Sequence, residues 1–151
     1  MAVQVGDVAP DFELTDQHGA PVRLSGLRGG HDVLLVFYPL AFSGVCTGEL
    51  RALRDALPTL GERTRVLAVS VDSMFALRAW ADQDGYPFPL LSDFWPHGEV
   101  ARRYGVFDEE RGVARRGTFL VDGAGVVRWK TVAALAEARD VGAYREALAA
   151  L

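Results

Sequence analysis

The chain has 151 residues, half of them apolar and 24% charged, which suits one water-soluble globular domain spanning residues 1–151. A net charge of −4, with no basic block longer than Arg102-Arg103 or Arg115-Arg116, argues against nucleic acid or an anionic membrane as partner. A single cysteine rules out an internal disulfide, no run approaches the roughly 18 apolar residues of a membrane span, and Met-Ala-Val-Gln-Val-Gly-Asp lacks the regions of a secretion signal, so a cytoplasmic location is expected.

In chain order, Val8 to Asp16 reads as an approach loop and a short strand, with Phe12 and Leu14 alternating inward. Gln17-His18-Gly19 supplies a turn and Val22-Arg-Leu24 the partner strand; His18 reads as a solvated turn residue. Ser25 to Gly30 is a loop by its glycine content. Asp32-Val-Leu-Leu-Val-Phe-Tyr38 is an unbroken apolar run, the pattern of a strand buried on both faces. Pro39 ends it and holds Tyr38 extended. His31, just before it, has no partner at metal-ligand spacing, and no metal or cofactor is expected.

From Cys46 the apolar residues Leu50, Leu53, Leu57 and Leu60 follow at helical spacing, so Cys46 occupies the first turn of a helix just past a central strand. Ser43 is the expected N-cap, its hydroxyl accepting from a free amide of the first turn. The amides and the positive end of the helix dipole favour a thiolate, the nucleophilic form of cysteine. A lone cysteine often serves only as a small buried hydrophobe. Here the helix terminus, the preceding proline and the neighbouring serine point instead to a reactive thiol, in an exposed first turn where Gly44 leaves room for a second reactant.

Pro58 and Gly61 mark the end of that helix, and Arg65 to Val71 forms a second buried strand. Asp72-Ser73 caps a helix carrying Met74, Leu77 and Ala81 at helical spacing, with Phe75 and Trp80 nearby. Gly85 to Leu91 leads into a short strand. Asp93-Phe-Trp-Pro-His97 is a loop exposing large aromatics, Gly98 to Tyr104 a short helix ended by Gly105, and Asp108 to Gly112 a polar turn. Gly117 to Asp122 and Val126 to Val132 flank Gly-Ala-Gly as a hairpin. Asp140 caps a last helix with Val141, Tyr144, Leu148 and Leu151 on one face. The order predicts an α/β fold, a central mixed sheet flanked by helices.

Pro39, Ser43 and Cys46 resemble the P-x-x-x-[TS]-x-x-C motif of the peroxiredoxins, thiol peroxidases with a thioredoxin-like fold. Ala9-Pro-Asp-Phe12 is similar to the family's N-terminal signature. Ser92 to Gly98, Tyr104 to Phe107 and Arg116 to Asp122 resemble its one-cysteine subgroup, the alkyl hydroperoxide reductase E (AhpE) type. Ser43 departs from the more usual threonine, which keeps the hydroxyl but loses the methyl that restrains its rotamer. The resemblance implies a thioredoxin-like fold, reduction of hydrogen peroxide, organic hydroperoxides and peroxynitrite, and a homodimer packed through loops near Cys46. It also implies that Pro39 shields Cys46 from water and that the Ser43 hydroxyl bonds the peroxide or thiolate.

A peroxide needs donors near both oxygens while the bond between them breaks, and arginine supplies several in one planar fork. Arg116 stands at the family's position for that arginine. Neighbouring strand residues face opposite ways, so Arg115 is not expected to reach the same pocket. Glu49, one turn after Cys46, disfavours a thiolate unless it is paired, so an arginine partner is expected. With no second cysteine, the sulfenic acid left on Cys46 has to be reduced by an external thiol, either a small thiol or a thioredoxin, glutaredoxin or mycoredoxin. Cys-Thr-Gly-Glu is not the Cys-x-x-Cys of a disulfide reductase, and three scattered histidines give no support to a cysteine hydrolase. The competing reading is a thioredoxin-fold redox sensor or holdase whose exposed Phe94 and Trp95 meet a partner.

Overall fold

The computed structural model describes residues 2–151. Among the described residues, nine strands and four α-helices follow one another as β1 (Glu13–Thr15), β2 (Pro21–Arg23), β3 (Asp32–Phe37), α1 (Gly44–Ala56), β4 (Thr64–Ser70), α2 (Met74–Asp84), β5 (Leu90–Ser92), α3 (Glu99–Arg103), β6 (Phe107–Asp108), β7 (Val113–Ala114), β8 (Arg116–Val121), β9 (Val127–Ala133) and α4 (Val141–Ala149). Seven strands form one sheet in the order β2-β1-β5-β4-β3-β8-β9, and β6 pairs with β7 alone. Strands β3, β4 and β5 run parallel, while β8 lies antiparallel to β3 and β9 to β8. The sheet is therefore mixed.

Strand β3 is apolar throughout because both of its faces are covered. Val33, Leu35 and Phe37 point into one cluster with α3 and the N-terminal segment. Leu34, Val36 and Tyr38 point into the other, shared with α1, α2 and Tyr144 of α4. The parallel strands β3 and β4 end at the same edge, and their first residues past the sheet begin the loops into α1 and α2. That common edge is where the Cys46 loop sits.

Four details differ from the sequence-based expectation. Residues Leu24–Leu27 form a 3-10 turn rather than open loop, anchored by buried Leu24. The polar turn at Asp108 to Gly112 closes a hairpin, β6–β7, too short for strand periodicity to register. The helix from Cys46 tightens into a 3-10 turn at Leu57–Thr59, where Pro58 lacks an amide hydrogen. Leu151 lies beyond α4 and is exposed, so the last helix buries Tyr144 but not its C-terminal leucine. Among the described residues no helix is long and apolar enough to cross a membrane.

Candidate active site

Cys46 is the third residue of α1, and its side chain is completely buried among Tyr38, Leu50, Leu53 and Trp80. This corrects the expected exposed first turn. Gly44 is indeed exposed, but the helix turns Cys46 inward with the same spacing that buries Leu50 and Leu53.

Ser43 occupies the N-cap position with extended backbone, yet its hydroxyl makes no bond to the helix amides. It donates instead to the carbonyl of Leu40 at 2.7 Å, closing the loop on itself. The expected capping hydrogen bond is therefore absent, and the first-turn amides of α1 keep no side-chain acceptor. Phe42, between the two bonded residues, takes φ +67°. For a bulky non-glycine residue that conformation costs on the order of 1–3 kcal/mol. Pro39 is half-buried at the start of this loop.

Strand β8 delivers Arg116 to the sulfur. Its side chain is only 3% exposed, while the adjacent Arg115 faces solvent, as the alternation of strand side chains requires. Arg116 Nη1 donates to Cys46 Sγ at 3.2 Å and to Glu49 Oε1 at 2.6 Å, and its Nε donates to the Leu135 carbonyl at 2.6 Å. Glu49 thus has the arginine partner its position demanded.

A second arginine, not singled out in the sequence, completes the cluster. Arg139 lies in the connection between β9 and α4, and its side chain is as buried as that of Arg116. Its Nε donates to Glu49 Oε2 at 2.7 Å and its Nη2 to Oε1 at 3.0 Å, and its backbone N–H reaches Oε2 at 2.7 Å. Its Nη1 donates to the carbonyls of Phe37 at 2.8 Å and Gly117 at 3.1 Å, and to Thr118 Oγ1 at 3.1 Å. The only sequence signal was indirect: a carboxylate on the buried face of α1 needs buried donors.

Burial by itself pushes the Glu49 carboxyl up. The hydrogen bonds and charge of Arg139, followed by the charge of Arg116, outweigh that penalty and hold it below the usual carboxylate value. Two buried guanidinium groups and one carboxylate leave one positive charge unmatched. The Cys46 sulfur meets that positive charge through its hydrogen bond with Arg116. The sulfur is thus held against a buried, charged donor that is itself fixed by Glu49, the arrangement that nucleophilic chemistry at a cysteine uses.

The structure therefore brings Arg116 into direct contact with both Cys46 and Glu49. Pro39 and Ser43 stand in the covering loop, with Ser43 bonded to Leu40 rather than to the thiol. Among the described residues no group of three or more His, Cys, Asp or Glu side chains is placed to hold a metal ion.

Comparison with known proteins points the same way. The AhpC/TSA family profile matches residues 5–130. The chain is 51% identical over 150 residues to alkyl hydroperoxide reductase E of Mycobacterium tuberculosis, covering 99% of this chain and 98% of that one. Among solved structures it is similar to the peroxidoxin BcpB of Mycobacterium tuberculosis, with a TM-score of 0.88 and 32% identity over 98% of this chain and 97% of that one. It is similar also to Enterococcus faecalis AhpC, with a TM-score of 0.89 and 30% identity over 99% of this chain and 92% of that one.

Proposed function

The chain belongs to the AhpC/TSA family and is a thiol-dependent peroxidase of one-cysteine type, and from that premise we propose how its residues divide the reaction. The Cys46 thiolate attacks the terminal oxygen of a hydroperoxide. The O–O bond breaks, the sulfur keeps the hydroxyl as a sulfenic acid, and the other oxygen leaves as an alkoxide or hydroxide that takes up a proton. The observation that carries this reading is the 3.2 Å contact between Cys46 Sγ and a buried Arg116 that also binds Glu49.

Arg116 holds the thiolate through Nη1. Its Nη2, for which no partner is found among the described residues, is the donor free to meet the peroxide oxygens as charge moves through the breaking bond. Glu49 and Arg139 fix the guanidinium in place. Pro39 keeps water from the sulfur, and the Ser43 hydroxyl retains oxygen lone pairs and a short swing toward an incoming peroxide. Hydrogen peroxide and organic hydroperoxides are the substrate class, since each offers a terminal OH oxygen to attack and a leaving oxygen; peroxynitrite shares the same bond.

With one cysteine, the sulfenic acid is cleared by an external thiol. The first thiol condenses with it, releasing water and forming a mixed disulfide; a second displaces Cys46 as thiol and leaves as the disulfide. A small thiol or a thioredoxin, glutaredoxin or mycoredoxin has the required chemistry. Such a cycle runs where thiols are kept reduced, which supports a cytoplasmic location. The test is stoichiometric. Without added thiol, the reduced protein should consume one equivalent of peroxide, gain one oxygen by intact mass, and become reactive to dimedone. Cys46→Ser should consume none. A wild-type protein that turns over repeatedly without thiol contradicts the mechanism, as does an unlabelled one.

We propose further that two copies pack through the edge that carries Cys46. Phe42, Phe75, Phe94 and Trp95 are 48%, 74%, 53% and 81% exposed, and all follow the C-terminal ends of the parallel strands β3, β4 and β5. A cluster of large exposed aromatics at one edge marks an interaction surface. Sedimentation at roughly tens of micromolar should give a species of twice 16.4 kDa; a monomer alone at that concentration contradicts it.

A further inference from the structure

Cys46 is fully buried, yet an external thiol has to reach its sulfur in every cycle. The loop from Pro39 to Ser43 therefore needs a closed form for peroxide chemistry and an open form for reduction. Several features load the closed form against itself. Phe42 sits at φ +67°. Its ring rests 5.9 Å from that of Trp80, whose indole N–H is buried with no hydrogen-bond partner among the described residues. Trp80 in turn lies 5.5 Å from Tyr38. Lifting the loop relieves the strain at Phe42 and frees its ring from Trp80.

One contact from outside the loop opposes this. Asp72, two residues past the end of β4, accepts a hydrogen bond from the Ala41 backbone N–H through Oδ2 at 2.8 Å. Among the described residues it is the only hydrogen bond tying residues 39–43 to a part of the fold other than the loop itself and α1. The carboxylate is held in place for it. The Ser70 hydroxyl donates to the same Oδ2 at 2.6 Å, and Ser92 donates to the Asp72 carbonyl at 2.7 Å, pinning the residue to β4 and β5. Capping of α2 does not occupy Asp72, because Ser73 does that.

We propose that Asp72 is a positioning residue that latches the Cys46 loop shut, speeding oxidation of Cys46 and slowing its reduction by thiol. The proposal rests on Cys46 being the reacting thiol. Its mark is a pair of changes of opposite sign, which general damage to the fold does not produce. The closed form presents sulfur and Arg116 together, so losing the latch slows peroxide attack. The open form exposes the sulfenic acid, so losing the latch speeds thiol attack.

The test measures both steps separately by stopped flow, on reduced protein mixed with hydrogen peroxide and on pre-oxidised protein mixed with dithiothreitol. Asp72→Ala should slow the first by roughly tenfold and speed the second by roughly threefold or more. Asp72→Asn, which keeps an oxygen acceptor for Ala41, should stay within about threefold of wild type in both. Should Asp72→Ala fail to fold, Ser70→Ala removes only the hydroxyl that orients the carboxylate and should give the same opposed changes at smaller amplitude. Two rates that fall together, or two that stay unchanged, overturn the latch, as does an asparagine variant as defective as the alanine one. A wild-type Cys46 that fails to react with peroxide overturns the peroxidase mechanism instead, so the two failures are told apart.

Discussion

Arg116→Ala is expected to slow oxidation of Cys46 by roughly a hundredfold to a thousandfold, about 2.7–4 kcal/mol of barrier, the usual cost of deleting one preorganised donor from a water-excluded site. The structure gives two reasons for an effect of that size. The guanidinium touches the sulfur directly at 3.2 Å, so its loss removes a donor from the reacting atom. It also removes the positive charge nearest the reacting atom and one of the two buried arginines that bind Glu49. A lower melting temperature should accompany the slower rate, since Glu49 loses one of its two buried arginine partners. Arg116→Lys is expected to rescue little. A single ammonium group on a flexible stem does not reproduce the fork that spans the Leu135 carbonyl, Glu49 and the sulfur at once. Arg115→Ala, on the solvent face, should change neither quantity. Equal effects from the two arginines would contradict the assignment.

Arg139→Ala is expected to be the most destabilising change at the site. It strands a buried carboxylate beside a single remaining arginine and leaves the carbonyls of Phe37 and Gly117 without this donor. Breaking a buried ion pair from one side typically costs about 3–5 kcal/mol. For a chain of this size each kcal/mol lowers the melting temperature by about 2–4 °C, so a fall of roughly 6–20 °C is expected by differential scanning calorimetry. The acid limb supplies a second check. The folded Glu49 carboxyl is held below its ordinary value of 4.5. Its contribution is therefore fully present above that pH and is lost as the pH falls through the lower folded value. Urea midpoints of wild type and Arg139→Ala should be far apart at neutral pH and converge below about pH 4.5. A gap that stays constant down the acid limb would show that Arg139 does not act through Glu49.

Much of this arrangement was legible in the sequence. The unbroken apolar run at 32–38, the helical spacing from Cys46 and the glycine-bounded hairpin at 122–126 determine which elements form, and the thioredoxin-like peroxiredoxin fold follows. Alternation along one strand allowed only one of Arg115 and Arg116 to reach the pocket, and the family resemblance chose Arg116. The physics of a carboxylate near a thiolate was enough to require a partner for Glu49. What escaped was contact between residues far apart in the chain. Arg139 stands 90 positions from the carboxylate it binds, in a connection whose composition resembles any polar loop, and no local period points to it. Asp72 looked like part of a helix cap because its neighbour is one. Ser43 was placed at the right position for the wrong bond, since its hydroxyl had two acceptable partners and only the turn at Phe42 decided between them.

The central claim is that this buried cluster makes Cys46 a peroxide-reactive thiolate. The second-order rate constant for its oxidation by hydrogen peroxide at neutral pH, measured by stopped flow beside free cysteine, tests that most directly. The account predicts a value at least roughly a thousandfold higher than that of the free amino acid, given a buried, charged donor held at the sulfur. A Cys46 that reacts no faster than free cysteine would contradict it.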